Sequence, residues 1–399
     1  MLVRTQIFLF YIFCGSIFLG LPLVVDYALC LLIIFLYIVK EHRMPYFNNI
    51  VLLILPMFIG SINGSQNDLY LVLKDLFYLS IPVVSLATGY CLYSIITIKK
   101  LYNTLILFGI VMMLKKVVIA VMAIGITAIF NPILARYDTG FLGHPAPALA
   151  LGLILAFYIF KNSSYSKRKM LILAALNLFG LYMMASRAYM LFFISFIVIY
   201  GVLIIRQKPA RLISYSVVLS LSVLILLNVQ SSSDSFMYKV LNSIKEVSVT
   251  DYSTEHDINF GYRGYETFMA FQTFSEGGLA LKMFGGLGRL VDLKTYVPLA
   301  EGGMRFIPIL HNGYLYILIK TGLAGFACYI LYFVFNIIKN VKILRHSNVD
   351  LKTIGFVNLG IIISLLSSTY IIYGLFSIEM VFFSILLSYQ NLFVEKNSC

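Results

Sequence analysis

The sequence has no tryptophan, little charge and few acidic residues. Only 12% of its 399 residues are Asp, Glu, Lys or Arg, where a soluble globular chain carries about 25%. So sparse a supply of charge excludes a surface that meets water all round. Acidic residues number 17 against 30 basic ones, a net charge of +13. The five cysteines, Cys14, Cys30, Cys91, Cys328 and Cys399, share no disulfide-like or metal-like spacing. Four of them sit in apolar runs, where a thiol serves as a small hydrophobe. No Asp-x-Asp motif occurs, which argues against a metal-dependent transferase acting on nucleotide sugars. Without tryptophan, the membrane–water interface must be lined by the 28 tyrosines, with phenylalanine packed beside them.

What is present is apolar sequence. Hydrophobic residues make up 60% of the chain, and the mean hydropathy is +0.92. Apolar runs bounded by polar breaks cover 6–22, 24–39, 48–62, 69–94, 101–129, 145–160, 170–186, 188–205, 211–229, 311–337, 353–370 and 371–390. Each approaches the roughly 20 residues that a spanning helix needs. The expectation is an all-α integral membrane protein of about twelve transmembrane helices, with 1–399 forming one polytopic domain. Arg4 followed by an apolar run resembles a signal peptide, but no small-residue cleavage site follows, so a retained first span is expected.

The basic residues set the orientation. Arg4, Lys40, Arg43, Lys99, Lys100, Lys161, Lys167, Arg168, Lys169, Arg206, Lys208, Arg211, Lys339, Lys342, Arg345, Lys352 and Lys396 all fall in connections on one side. The short connections of the other side have none. Both termini are therefore expected in the cytoplasm, and the charge excess reads as cytoplasmic retention rather than nucleic-acid binding. Two outer features remain: the connection 130–144, with Arg136, Asp138 and His144, and a large extracytoplasmic loop, 230–310, between helices 9 and 10. A loop of that length is expected to be functional. Within it, 267–278 is expected to form a short amphipathic helix on the membrane surface. FGGLGRL (284–290) reads as a turn, with phosphate cradling by its backbone N–H groups as the alternative.

Several charges are not explained by orientation. Arg136, Arg187, Arg263, Arg289 and Arg305 lie on the outer side or at outer helix ends. A guanidinium fork fits phosphate oxygens, and several together suit a phosphorylated lipid. Alternatively each reaches toward headgroups or pairs with a loop carboxylate such as Glu255, Asp257 or Glu266. Arg187 stands out in MMASRAYML because an arginine so near hydrocarbon needs a polar cavity or a partner. His311 opens the tenth run, either as a base for a hydroxyl or as a helix cap.

Lys115 and Lys116 interrupt the run 101–129, some 21 Å along it at about 1.5 Å per residue. They either line a polar cavity for an anionic lipid or mark a kinked or divided segment. Lys320, about 14 Å inside its helix by the same rise, is expected to pair with Glu379. Lys74 and Asp75 are expected to reach the outer interface. Glu255, His256 and Asp257 read as a solvated loop rather than a metal site.

The order of SRAYML (186–191), GYRGYETFMAFQ (261–272), FGGLG (284–288) and HNGYLYILIKTGLAG (311–325) resembles the O-antigen ligase and polymerase superfamily. These are bacterial membrane glycosyltransferases acting on undecaprenyl-pyrophosphate-linked sugars. The resemblance covers the second half of the chain. It implies a GT-C-like fold in the bacterial inner membrane, a site facing the periplasm, and a transfer with no metal and no other cofactor. It further implies that Arg187 and Arg263 hold the lipid pyrophosphate and that His311 is the base. Arg136, Arg289, Arg305, Asn312, Lys115 and Lys116 are carried as substrate-binding candidates. ARYDTGFLGHPAPALA (135–150) is similar to the family's Arg-x-x-x-Gly stretch, although His144-Pro145 stands where members often have Asn.

The function expected is a Wzy-type polymerase that joins lipid-linked oligosaccharide repeat units into O-antigen or capsular polysaccharide. Its expected partners are membrane lipid, those lipid-linked oligosaccharides and a chain-length regulator protein. The alternatives are an O-antigen ligase that moves glycan to lipid A-core and, from another class, a lipid-linked oligosaccharide flippase. A transporter commonly shows related halves with broken helices at matching positions, whereas this chain shows a single large outer loop and no matching halves.

Overall fold

The structure is a computed structural model that describes residues 2–42, 50–93, 95–139, 144–161, 165–207, 262–297, 304–369 and 380–396. The ninth run (211–229), much of the large loop (230–261) and the stretch 371–379 lie outside the described residues. So do Glu255, His256, Asp257 and Glu379. The described residues are predominantly helical, in two compact units.

The first unit comprises Met1–Thr97, Val249–Lys339 and Leu365–Cys399. It begins with α1 (Leu2–Leu19), α2 (Leu23–Glu41), α3 (Val51–Gly64) and α4 (Leu69–Tyr93). Asp68 caps α4 by accepting from the backbone N–H groups of Tyr70 (2.8 Å) and Leu71 (3.2 Å). α4 packs along α2, α3 and α14 (Met380–Lys396). Small residues set the α4–α14 approach: a Cβ on Gly89 would sit 2.3 Å from that of Ser384, and the Ser384 hydroxyl donates to the Leu86 carbonyl at 2.5 Å.

The second unit comprises Ile98–Ser248 and Asn340–Ser364. α5 (Ile98–Ile124) is one continuous helix, so Lys115 and Lys116 do not mark a divided segment. A 3₁₀ turn (Ile126–Ile129) and α6 (Pro132–Thr139) follow, then α7 (Ala146–Phe160), α8 (Lys167–Met184) and α9 (Arg187–Gln207). α5 packs on α7 and α8. Phe196 of α9 is wholly buried between two glycines, Gly152 of α7 and Gly360.

The first unit also contains α10 (Tyr262–Glu276), α11 (Leu279–Phe284) and an antiparallel hairpin, β1 (Val291–Val297) with β2 (Met304–Ile307). α12 (Gly313–Ile343) and α13 (Val349–Thr369) follow. The amphipathic helix expected within 267–278 is present as α10, with Tyr265, Glu266, Met269 and Ala270 buried. The hairpin is a departure from an all-helical reading. Its strands are short and its register breaks between Asp292 and Val297, so the apolar–polar alternation of Val291–Lys294 is too brief to announce it.

Five described helices are long and apolar enough to cross a membrane: Leu23–Glu41, Leu69–Tyr93, Ile98–Ile124, Gly313–Ile343 and Val349–Leu366. Four shorter ones, Ile7–Leu19, Val51–Gly64, Ala146–Phe160 and Tyr189–Leu203, are apolar too. Of the runs expected to span, five give full-length candidates among the described residues, and the ninth run and half of the twelfth lie outside those residues. Several runs taken as spans fold into helices shorter than a bilayer requires. Large apolar side chains face outward from these helices, among them Phe35, Phe58 and Met122. Such surfaces suit lipid rather than water.

Candidate functional site

α12 starts at a cap. The Asn312 side-chain oxygen accepts from the backbone N–H groups of Tyr314 (3.1 Å) and Leu315 (3.3 Å), satisfying donors that the first turn leaves open. Capping thus falls to Asn312, which leaves the neighbouring His311 imidazole for another task.

That imidazole meets a carboxylate from α10. Glu266 accepts from the His311 backbone N–H at 2.5 Å and lies 2.8 Å from His311 Nδ1. Its side chain is 1% exposed, whereas that of His311 is 46% exposed. A carboxylate at Nδ1 favours the tautomer with the proton there, leaving the Nε2 lone pair as acceptor. The Tyr262 ring stands edge-on to the imidazole, with centroids 5.9 Å apart at 87°. The result is an oriented imidazole on a half-exposed surface.

α10 is itself anchored. The Tyr265 hydroxyl donates to the Leu293 carbonyl of β1, and burial together with the nearby Asp292 charge pushes this phenol up from its ordinary value. Arg305 of β2 grips Asp292 of β1 with two contacts of 2.8 Å, Nε to Oδ1 and Nη2 to Oδ2. That guanidinium and the Lys294 backbone N–H hold the Asp292 carboxyl at about 2, below its ordinary value. Arg305 therefore stitches the hairpin. Arg263, one turn before Glu266 on α10, is exposed.

The glycine segment is a plug rather than a phosphate cradle. The backbone N–H groups of Gly286, Leu287 and Gly288 donate to the Ile319 carbonyl (3.3 Å), the Gly60 carbonyl (2.9 Å) and the Asp75 carboxylate (2.6 Å). All three are spent on protein acceptors. Arg289 turns back to α10, donating from Nη2 to the Thr273 carbonyl at 2.7 Å. Burial pulls its guanidinium down from the usual arginine value. Two expectations change here. Asp75 does not reach the interface but is 1% exposed, and Lys320 pairs with Asp75 at 2.7 Å, whereas the partner expected for it, Glu379, lies outside the described residues. Depth along a helix fixes a charge's level in the bundle; it does not say which neighbour faces it.

In the second unit, Arg136 of α6 donates from Nη1 to the Ala185 carbonyl at 2.7 Å. Ala185 ends α8 in the left-handed region, φ 46° and ψ 41°, where a cation favours the helix's negative end. Arg187 opens α9 two residues later. The α6–α8–α9 corner encloses an apolar cavity of about 210 Å³, lined by Pro132, Leu181, Tyr182, Ser186, Met190 and Phe193 among others. Lys116 is fully buried in α5 and Lys115 partly so. His144 is buried at the start of α7, its Nδ1 accepting from the Ala146 N–H at 3.1 Å.

The structure thus joins His311 to Glu266, which the sequence had offered only as a counter-charge for an arginine. One signal was available. Glu266 lies three residues after Arg263 on an amphipathic helix, on the same face as the apolar Tyr265, Met269 and Ala270, and a buried carboxylate needs a partner.

A model of the family described as O-antigen ligase matches residues 172–330. The match supports the likeness of this stretch to the O-antigen ligase/polymerase superfamily. No curated protein matches the chain. The superfamily region contains all four motifs quoted above, and with them Arg187, Arg263, Glu266, Arg289, Arg305, His311 and Asn312. Arg136 and His144 fall outside it, as do Lys115 and Lys116.

Proposed function

We propose that this protein is a membrane glycosyltransferase that joins undecaprenyl-pyrophosphate-linked repeat units into O-antigen or capsular polysaccharide. The single observation that carries the reading is the Glu266–His311 pair, a buried carboxylate on Nδ1 with the far nitrogen on an accessible face. In this reading Nε2 takes the proton of an acceptor sugar hydroxyl. The oxygen then attacks the anomeric carbon of the donor glycan. The bond from that carbon to phosphate breaks, and its electron pair leaves with the lipid pyrophosphate.

Arg263 is assigned to the developing diphosphate charge because it is exposed one turn from Glu266. Arg187 takes the same role by its match to the family motif. Arg136 positions the turn that precedes Arg187, and the apolar cavity beside that turn suits a prenyl chain. Pyrophosphate is already a good leaving group, so the reaction requires neither a metal nor a strong general acid. We assign the chain to a GT-C-like architecture in the bacterial inner membrane, with both termini cytoplasmic and His311 facing the periplasm. The charge distribution supports that orientation.

The description of the matching family favours a second reading, transfer of finished glycan to lipid A-core. Surface glycan from cells lacking the protein separates the two. Loss of every band beyond one repeat unit is the polymerase result. Polymer that persists on the carrier lipid but never reaches lipid A-core is the ligase result. Unchanged glycan would contradict both.

A further inference from the structure

The first unit contains a second polar cluster, buried in the helices beneath the histidine. Asp75 of α4 receives three donors: the Lys320 ammonium at 2.7 Å, the Tyr316 hydroxyl at 2.6 Å and the Gly288 backbone N–H at 2.6 Å. Lys320 also donates to the Arg289 carbonyl at 2.7 Å and lies 5.5 Å from the centroid of the Tyr316 ring. Asp75 and Lys320 are each 1% exposed. A buried ion pair is tolerated when hydrogen bonds satisfy its remaining capacity, and this one is well supplied.

What the pair holds is unusual for a membrane helix. α12 is broken at Gly322, whose φ of 66° and ψ of −172° lie outside helical space. The glycine segment fills the break. A Cβ on Gly285 would lie 2.5 Å from the Gly322 nitrogen, and a Cβ on Gly322 would lie 2.4 Å from the Met283 carbonyl oxygen. From α3 and its exit, Asn63 donates to the Gly285 carbonyl at 2.8 Å and Asn67 to that of Leu287 at 2.6 Å. Irregular backbone at such a place persists only where protein groups satisfy it.

We propose that Asp75 is a positioning residue: its pairing with Lys320 latches segment 285–289 into the broken α12 and so holds Glu266 against His311. The path is continuous. Lys320 holds the Arg289 backbone, the Arg289 guanidinium holds the Thr273 carbonyl of α10, and α10 carries Glu266 to the imidazole. Tyr316, the other side chain on Asp75, stands on α12 five residues after His311. This inference rests on His311 being the base.

The test is a disulfide. A Cβ on Gly286 would lie 3.7 Å from that of Asn63, close to the mean of about 3.8 Å found in disulfides. The pair Asn63→Cys and Gly286→Cys is introduced into full-length protein whose five native cysteines are changed to alanine. Oxidation should link the two positions readily. Adding Asp75→Asn should slow linking by about tenfold or more, as the segment opens locally. In the unlinked protein, Asp75→Asn should lower turnover by about tenfold to a hundredfold, the scale of a small misplacement, with the half-saturating substrate concentration unchanged. Once formed, the disulfide should restore that turnover.

Should Asp75→Asn not reach the membrane, the neutral pair Asp75→Asn with Lys320→Met carries the same test, since no lone charge stays buried. Linking at the parent rate, undiminished turnover, or a disulfide that restores nothing would each overturn the latch. Linking does not depend on the chemistry, so full turnover of His311→Ala would remove the base assignment and leave the linking result standing.

Discussion

Glu266 holds His311 twice, once at the backbone N–H and once at Nδ1, across 45 residues of chain. The two contacts do different work. The first fixes where α12 begins relative to α10. The second fixes which imidazole nitrogen is left to act.

The roles of the two residues predict unequal losses. Removing the base with His311→Ala should lower turnover by about 10²–10⁴-fold, the range of general-base catalysis. Glu266→Gln should cost less, because an amide still accepts one hydrogen bond but no longer stabilises a protonated imidazole. Initial rates of chain elongation, normalised to folded protein, check the order.

Asn312 should act on stability rather than on chemistry. Asn312→Ala removes the cap of α12 and should destabilise by about 1 kcal/mol, whereas Asn312→Ser should stay close to the parent. Thermal unfolding of the detergent-solubilised protein reads the difference. Asn312→Ala with parental stability and lost turnover would instead make Asn312 a substrate ligand.

The hairpin carries an acid-sensitive contact. The Asp292 carboxyl is held low by Arg305. Its contribution is therefore complete above the ordinary carboxylate range and is lost as pH falls toward about 2. Hydrogen exchange in 291–297, corrected for its intrinsic pH dependence, should be steady from neutral pH down to about 4 and rise below that. Arg305→Gln should remove the added dependence.

Glycines with different surroundings should respond in opposite directions. Gly322→Ala places a Cβ against the Met283 carbonyl at a positive φ, so a loss of about 1–3 kcal/mol or more is expected. At Gly201 of α9 a Cβ meets nothing within 4 Å; alanine there should stabilise the helix by up to about 1 kcal/mol. Melting curves of the two variants settle the contrast.

Most helices were legible because long apolar runs between charged breaks leave few other folds. His311 stood out from its place at the head of such a run, as a base or a cap, and the base role came only from the family resemblance. Glu266 was not, because its partner lies 45 residues away and no local period links them. Asp75 was misread for a similar reason. A carboxylate six residues inside α4 reads as reaching for the interface until the backbone of the glycine segment is seen to descend to it. The hairpin escaped because the alternation of Val291–Lys294 is too short to tell a strand from a loop. The break in α12 was hidden in an apolar run, where Gly322 looks like a packing residue until its φ is known.

The most direct measurement is turnover of lipid-linked repeat units by purified wild-type, His311→Ala, Glu266→Gln and Arg263→Ala protein, each shown to be folded. The account predicts full turnover from the wild type, a rate about 10²–10⁴-fold lower from His311→Ala, and intermediate rates from the other two. Equal rates from the wild type and His311→Ala would contradict it.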